Sequence, residues 1–380
     1  MKRLVTLLAA SAASLAAGTL FSGSYPNLIL VIDEAQGKIV DTIKLETGLP
    51  TSVRLSHDKK TLFVSTNDHA GVEVIDVATH KVLNHFVLND ATHRFRIQGG
   101  APDPEGKLLY TTTTQITKQI DRYEIAKPKY TIIDLAQQKI VKTVDQPTET
   151  PAAGAGGAGA GGEGGAAAAA GGGGGGGGRG GGFEVSPDGK YLYQFGANVK
   201  VLKAEDFSEV ETIALESPED PSMSGLGLGG LQEGLAEPGQ RVSLFTSADP
   251  IVHNRVFGLA TFDLNKRKFD FKPIGPAPAA MTYLRVAPDK KEAYLVTTNG
   301  NQGNRRCEFW AIDVPTSRLA RTAEVPCRSR FSFGLSSNGK KLYIYGAGYE
   351  IEVYDAVTLK REAVWDLGHD MTGGGLVALP

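Results

Sequence analysis

A two-part phrase recurs along this chain of 380 residues. Its first half is a short strand, a polar turn and a second alternating strand, as in "PTSVRLSHDKKTLFVST" (50–66). Its second half is an apolar strand that ends in Asp, a tight turn and a further strand, as in "YTIIDLAQQKIVKTV" (130–144). Four antiparallel strands that repeat about every 40–50 residues are typical of a β-propeller blade. The recurring Asp is expected to accept hydrogen bonds from the backbone of its own turn.

Complete units of this kind start near residues 51, 97, 180, 224, 280 and 329. The two ends of the chain hold the parts of one more unit: a second strand at 19–21, a third and fourth strand at 28–45, and a first strand at 373–380. A blade shared between the termini closes the ring and removes its free edges. The sequence therefore predicts an all-β fold, a single seven-bladed β-propeller over residues 19–380.

The connections between the strands differ in length. Nearly all the turns inside the hairpins are short, whereas the long connections occupy 89–96, 114–129, 145–180, 216–223 and 298–306. All of these long connections fall on the same face, because successive connections in an antiparallel blade alternate between two faces. Binding residues concentrate in irregular loops on rigid scaffolds, so we expect the function on that face.

A run of Ala and Gly, "AAAAAGGGGGGGGRGGG" (166–182), interrupts the repeats. It joins a fourth strand that ends near Val144 to a first strand that begins near Gly181, with blades of the same kind on both sides. Such a composition cannot offset its ordering entropy by burial. We therefore expect residues 150–180 to be a disordered loop inserted into one propeller, and not a boundary between domains.

The N-terminus resembles a secretory signal peptide. Lys2 and Arg3 precede an apolar run and then small residues, in "MKRLVTLLAASAASLAAG" (1–18). This predicts cleavage near Ala17 or Gly18 and a periplasmic or secreted protein without a membrane span. A buried N-terminal helix is the alternative.

The cysteines are Cys307 and Cys327. In an exported protein two cysteines suggest one disulfide. They flank a predicted hairpin but stand about three residues out of ideal cross-strand register, so a disulfide and two free thiols both stay open at this point. There is no CxxCH motif, which means that this chain cannot attach a c-type haem by itself.

The sequence offers no catalytic group with a recognised spacing. The formal net charge of −2 gives no electrostatic basis for binding nucleic acid. The histidines are scattered, without a metal-binding spacing, and no Gly-x-Ser-x-Gly elbow occurs. From the residues alone we expect no catalytic residue, no metal and no cofactor in this chain, and a scaffold with a binding face.

The blade phrases resemble the YVTN-type and WD40-like propellers of exported bacterial proteins. Two segments are more specific: "RYEIAKPKYTIID" (122–134) and "YDAVTLKREAVWDLGHDMT" (354–372). Both resemble stretches of the β-subunit family of quinohaemoprotein amine dehydrogenases, and the first is also similar to a basic insertion in the heavy chain of methylamine dehydrogenase. The resemblance runs in order across the chain, and the glycine-rich insertion departs from it.

This resemblance implies a periplasmic subunit that carries no covalent cofactor. A small subunit with a tryptophylquinone and a dihaem cytochrome c subunit would oxidise a primary amine, and the propeller would wall the substrate cavity. The residues expected to face the partners or the cavity are His93, Arg94, Arg122, Tyr123, Lys127, Pro128, His369, Asp370, Met371 and Thr372.

Two other functions stay open on the sequence. One is a stand-alone propeller of the cell envelope that serves as a protein-binding scaffold. The other is a propeller lactonase or a similar hydrolase, which needs a ring of carboxylates at the mouth of the channel. The acidic residues of the long connections that could form such a ring are Asp90, Asp121, Glu124 and Asp370.

Removal of the glycine-rich insertion tests whether the repeats on both sides belong to one propeller. We expect a variant in which a few Gly and Ser residues replace Ala152–Arg179 to keep the melting temperature or raise it, since the entropy of loop closure changes by only about 0.6 kcal/mol per doubling of length. Thermal unfolding followed by circular dichroism measures this. A variant that unfolds or aggregates would show that the segment is structural.

Overall fold

The computed structural model describes the greater part of the chain, namely residues 18–67, 70–147, 183–196, 198–215, 224–228, 232–233, 239–248, 254–300, 302–328, 331–346, 348–372 and 375–380. These residues form strands and one short 3-10 helix, Gln302–Asn304. The expected signal peptide, up to residue 17, and the expected loop at 150–180 lie outside the described residues.

The strands form seven antiparallel sheets, here called blades 1 to 7. Blade 1 contains β1 (Thr19–Ser24), β2 (Leu28–Asp33), β3 (Lys38–Lys44) and, from the other end of the chain, β31 (Leu376–Leu379). Blade 2 contains β4 (Pro50–Leu55), β5 (Thr61–Thr66), β6 (Gly71–Asp76) and β7 (Val82–Val87). Blade 3 contains β8 (His93–Pro102), β9 (Leu108–Lys118), β10 (Tyr123–Ile125), β11 (Lys129–Asp134) and β12 (Lys139–Asp145).

The remaining blades follow in chain order. Blade 4 contains β13 (Phe183–Val185), β14 (Tyr191–Phe195), β15 (Asn198–Lys203) and β16 (Glu209–Ala214). Blade 5 contains β17 (Ser224–Leu228), β18 (Gln232–Glu233), β19 (Gln240–Ala248), β20 (Arg255–Asp263) and β21 (Lys268–Pro276). Blade 6 contains β22 (Ala280–Met281), β23 (Arg285–Val286), β24 (Glu292–Asn299), β25 (Arg306–Asp313) and β26 (Arg318–Val325), and blade 7 contains β27 (Phe331–Leu335), β28 (Lys341–Gly346), β29 (Glu350–Asp355) and β30 (Arg361–Asp366).

These sheets confirm the predicted all-β, seven-bladed propeller and the blade shared between the two ends. β31 is the inner strand of blade 1 and pairs with β1 in a continuous register from Thr19↔Leu379 to Ser22↔Leu376. A second contact closes the ring between blades 7 and 1. There Glu34 accepts hydrogen bonds from the backbone N–H and the hydroxyl of Ser337, at 3.0 and 2.6 Å.

The apolar core lies between neighbouring blades. One cluster joins Phe21 and Val31 of blade 1 to Val53 and Val64 of blade 2, and similar clusters lie between the other blades. This arrangement follows from the alternation of the strands, which gives both faces of every blade apolar side chains. Each blade therefore depends on the next one to cover its surface.

The turn after the third strand of a blade has a common structure, as the repeat predicts. In blade 3 the Asp134 carboxylate accepts the backbone N–H of Gln137 at 2.7 Å, and this hydrogen bond lowers the pKa of Asp134. The same acceptor occurs at Asp33, Asp76, Asp263, Asp313 and Asp355. A left-handed residue ends the turn in every blade, at Gly37, His80, Gln138, Phe207, Arg267, Ser317 and Leu359.

The turn after the inner strand also needs a left-handed residue. Gly106, Gly189 and Gly339 supply it in blades 3, 4 and 7, with φ between 69° and 73°. Lys59 in blade 2 occupies the same position with a φ of 61°. A left-handed conformation costs a residue with a Cβ about 1–2 kcal/mol, a cost that glycine avoids.

Exchange of Lys59 for glycine should therefore stabilise the protein. We expect Lys59→Gly to raise the free energy of unfolding by about 0.5–1 kcal/mol, because the relief of the left-handed backbone exceeds the entropic cost of glycine. The matched control is Lys60→Gly, one residue further on in the same exposed turn, which should lower it by up to about 1 kcal/mol. Urea denaturation measures both. Equal losses in the two variants would contradict this account of the turn.

Candidate functional site

Blade 3 carries an extension on the face of the long connections. Residues Thr114–Lys118 of β9 continue beyond Thr113, the last residue of β9 that pairs with β11. There β10 takes the place of β11 beside β9, and β8 lies on the other side of β9 from His93 onward. We call residues 89–97 and 114–128 the blade-3 arm. Much of the irregular loop predicted from the sequence is thus strand.

The arm exposes apolar side chains at its tip. Ile120, Tyr123 and Ile125 are 107%, 64% and 69% exposed. The exposed basic side chains of the same arm are Arg94, Arg96, Lys118, Arg122 and Lys127, whereas its acidic ones are Asp90, Asp121 and Glu124. The arm is therefore an apolar tip with an excess of positive charge.

Six of the residues expected to face partners lie on this arm. Arg122, Tyr123, Lys127 and Pro128 are exposed. His93 and Arg94 stand at the start of β8, where Asp90 organises the chain: its carboxylate lies 2.9 Å from Nδ1 of His93, and its carbonyl accepts Arg94 at 3.3 Å. The hydrogen bond with His93 lowers the pKa of Asp90. The structure thus brings these six residues onto one projecting element.

The other predicted segment, His369–Thr372, follows β30 at the junction of blades 7 and 1. The Asp370 carbonyl accepts hydrogen bonds from the backbone N–H of Tyr25 and the hydroxyl of Ser24, both at 2.8 Å. Met371 is fully buried in the core between these blades, so its side chain does not face a partner or a cavity. Its apolar side chain stabilises the contact between blades 7 and 1. The segment lies at this junction and not beside the blade-3 arm.

The structure does not gather the carboxylates that a lactonase would need. Asp90, Asp121 and Glu124 all belong to the blade-3 arm, and Asp370 lies at the junction of blades 7 and 1. Within the described ranges no group of three or more His, Cys, Asp or Glu residues is placed to hold a metal ion. The described part of the chain also contains no helix with the length and apolar character needed to span a membrane.

Cys307 and Cys327 form a disulfide with a Cα–Cα distance of 5.2 Å. Cys307 is the second residue of β25, and Cys327 follows the end of β26. The predicted offset in register does not prevent the disulfide, because Cys327 lies in the connection beyond the end of β26 and not in the strand itself. The disulfide fastens the start of the connection between blades 6 and 7.

A cavity of about 400 Å³, which the sequence did not predict, lies on the opposite face. Its walls are mostly the C-terminal ends of the inner strands and the short turns that follow them, with Arg241 of β19 from blade 5, and every blade contributes to it. A cavity lined by all seven blades lies on the propeller axis. The basic side chains in its lining are Arg54, His57, Lys59, Arg241 and Arg285, and the acidic ones are Asp103 and Glu184.

Three of these charged residues occupy related positions in the inner strands. Arg54, Glu184 and Arg285 lie opposite Phe63, Tyr193 and Tyr294 of the second strands, in the register that Ala101 and Gly334 hold in blades 3 and 7. The cavity could have been predicted from this pattern, because a charged residue stands in several repeats where other repeats have a small one.

Hydrogen bonds hold two of the arginines in place. Arg241 is only 5% exposed and donates from Nε to the Glu184 carboxylate at 2.9 Å. Arg285 donates from Nε to the carbonyl of Phe333 at 3.1 Å, and burial lowers the pKa of Arg285. These contacts tie blade 4 to blade 5 and blade 6 to blade 7 beside the axis.

The fold and its two faces define the class of protein as a seven-bladed β-propeller. No protein-family model matches the sequence. No curated protein matches it either. The comparisons with solved structures therefore rest on the fold.

Solved structures share this fold at low sequence identity. Apo AztD from Citrobacter koseri is 13% identical with a TM-score of 0.54, over 95% of this chain and 98% of that one. Dihydro-haem d1 dehydrogenase NirN, in complex with DHE, is 13% identical with a TM-score of 0.51, over 95% and 75%. Hydrazine synthase from Kuenenia stuttgartiensis is 15% identical with a TM-score of 0.48, over 84% and 86%. At this identity the likeness shows the fold alone.

The two predicted segments should respond differently to truncation. We expect Met371→Ala to lower the free energy of unfolding by about 2–5 kcal/mol, because it removes a fully buried side chain between blades 7 and 1. Thr372→Ala, at the exposed next residue, should change it by no more than about 0.5 kcal/mol. Chemical denaturation measures both. Similar small changes would place Met371 outside the core.

Proposed function

We propose that this chain is the propeller subunit of an amine dehydrogenase whose quinone and haem are carried by other subunits. The observation that carries the proposal is the blade-3 arm, which exposes Ile120, Tyr123 and Ile125 among basic side chains. Contiguous exposed apolar residues with a polar rim are typical of a surface that binds another protein.

The composition of the arm favours a particular kind of partner surface. Tyr and Arg are the residue types that most often dominate the binding energy of an interface, and Tyr123 and Arg122 stand side by side at the tip. The excess of basic side chains favours an acidic partner, since complementary charge speeds encounter and fixes register. We therefore expect the partner to offer an apolar groove with an acidic rim.

The segment similar to amine dehydrogenase β subunits coincides with this surface. Residues 122–134 begin at the tip of the arm and continue into β11. The disulfide between Cys307 and Cys327 supports a protein that matures in an oxidising compartment, which agrees with the proposed periplasmic location.

In the proposed complex the chemistry belongs to the partners. A tryptophylquinone on the small subunit would oxidise a primary amine to an aldehyde, and the dihaem cytochrome c would accept the electrons. This chain would dock the quinone subunit through the blade-3 arm and wall part of the substrate cavity. Its contribution is therefore binding and positioning.

Capture of the partner from the native organism tests the proposal. We expect the tagged full chain to retain a protein with the absorption spectrum of c-type haem, in a constant ratio to the bait. A double variant, Tyr123→Ser with Ile125→Ser, should retain at least tenfold less, because it removes the apolar tip. The matched control is Tyr349→Ser in blade 7, since Tyr349 is similarly exposed at 58%.

Two results would overturn this function. A chain that purifies alone in its native background would show that no such complex forms. A partner without haem or quinone, whose capture depends on the same two residues, would favour the alternative of a cell-envelope scaffold.

A further inference from the structure

We propose that the cavity on the propeller axis binds a small organic carboxylate, with Arg54 as its principal ligand-binding residue. The cavity opens on the face of the short turns, whereas the blade-3 arm belongs to the other face. The inference therefore goes beyond the proposed amine dehydrogenase and stands or fails independently of it.

The dimensions of the cavity suit a metabolite. Its volume of about 400 Å³ falls in the range of known small-molecule sites. Its walls are fixed by the paired inner strands and by short turns, so the site is largely formed before a ligand enters. The wall is closely packed at Gly334, where a Cβ would stand 2.9 Å from a methyl group of Leu376.

The charges of the lining favour an anion. Arg54, Lys59, Arg241 and Arg285 are cationic, whereas Asp103 and Glu184 are the acidic side chains among the lining residues. Both acids are already engaged. Glu184 accepts Arg241, as described above, and the Asp103 carboxylate accepts the backbone N–H groups of Lys107 and Leu108 at 2.6 and 2.9 Å.

Arg54 differs from the other arginines of the cavity. It is half-buried, and within the described residues its guanidinium has no hydrogen-bond or ion-pair partner. A partly desolvated cation without a partner is unfavourable, and a bound anion would compensate it. The planar fork of a guanidinium fits the two oxygens of a carboxylate.

The apolar part of the lining indicates an organic ligand. Val53, Leu55, Val286, Leu335 and Val377 contribute to the walls beside the arginines. Burial of an apolar body against them adds affinity in proportion to the area removed from water. A protonated amine or a metal cation is disfavoured by the same charges, so this cavity is distinct from any site for an amine substrate.

Isothermal titration of the purified full chain with acetate, benzoate and 2-naphthoate tests the inference at low ionic strength. We expect affinity to rise along this series as the apolar body grows, and the neutral 2-naphthamide to bind at least tenfold more weakly than 2-naphthoate. Arg54→Gln should weaken 2-naphthoate about ten- to a hundredfold, because a charge-assisted hydrogen bond is lost. Arg54→Lys keeps the charge but lacks the planar guanidinium. Its affinity for 2-naphthoate should lie between those of the wild-type protein and Arg54→Gln.

The matched control is Arg318→Gln. Arg318 is an exposed arginine at the start of β26, on the same face but outside the cavity lining, and its loss should leave the affinity unchanged. Circular dichroism of each variant establishes that it is folded. If Arg54→Gln and Arg318→Gln lowered the affinity for 2-naphthoate equally, binding would depend only on the overall charge of the protein, and the proposed site would be wrong. Equal affinity for naphthoate and its amide, or inorganic phosphate binding as tightly as 2-naphthoate, would also overturn the site.

Discussion

The pairing of β31 with β1 is the contact on which the rest of the propeller depends. Each blade covers its apolar faces only against its two neighbours, so an open ring would leave two large apolar faces in water. The two ends of the chain are joined by four residue pairs, from Thr19↔Leu379 to Ser22↔Leu376. This pairing closes the ring, so that both of these apolar faces are covered. The hydrogen bonds from Ser337 to Glu34 then hold the last blade against the first.

Closure also determines where each connection lies. In the closed ring all the inner strands run in the same direction along the axis. Their C-terminal ends therefore lie at one face of the propeller and their N-terminal ends at the other. Outside blade 5, the described connections on the first face are short turns held by local hydrogen bonds, and this face surrounds the axial cavity. The second face receives the connections that vary in length, including the blade-3 arm. A rigid face and a variable face are therefore consequences of one topology.

The architecture could be predicted from the sequence because it rests on local patterns that repeat. The Asp at the end of the third strand and the polar turn after the first strand mark each blade, and the incomplete units at the two ends predicted the shared blade. The blade-3 arm was harder to predict from the sequence. "TTTTQITK" (111–118) alternates too weakly to show that β9 continues past the blade, so the sequence predicts a loop there.

The candidate sites show where such reasoning stops. The resemblance to amine dehydrogenase β subunits predicts that Met371 faces a partner or the cavity, but its burial depends on contacts with residues at the other end of the chain, such as Leu20. The cavity was missed because its charged residues come from separate blades and meet only in the closed ring. The preference for long loops as functional elements also directed attention to the opposite face.

Charged residues on the axis are costly for a propeller. Glycine or alanine at this register, as at Gly334 and Ala101, fills the narrow centre of the ring without burying a charge. The ion pair of Glu184 with Arg241 offsets part of the free energy that is lost when the Glu184 carboxylate leaves water. Arg54 has no such compensation within the described residues. A fold closed by seven interlocked blades can carry this local cost without opening. The proposed carboxylate site gives Arg54 a role that the stability of the ring does not supply.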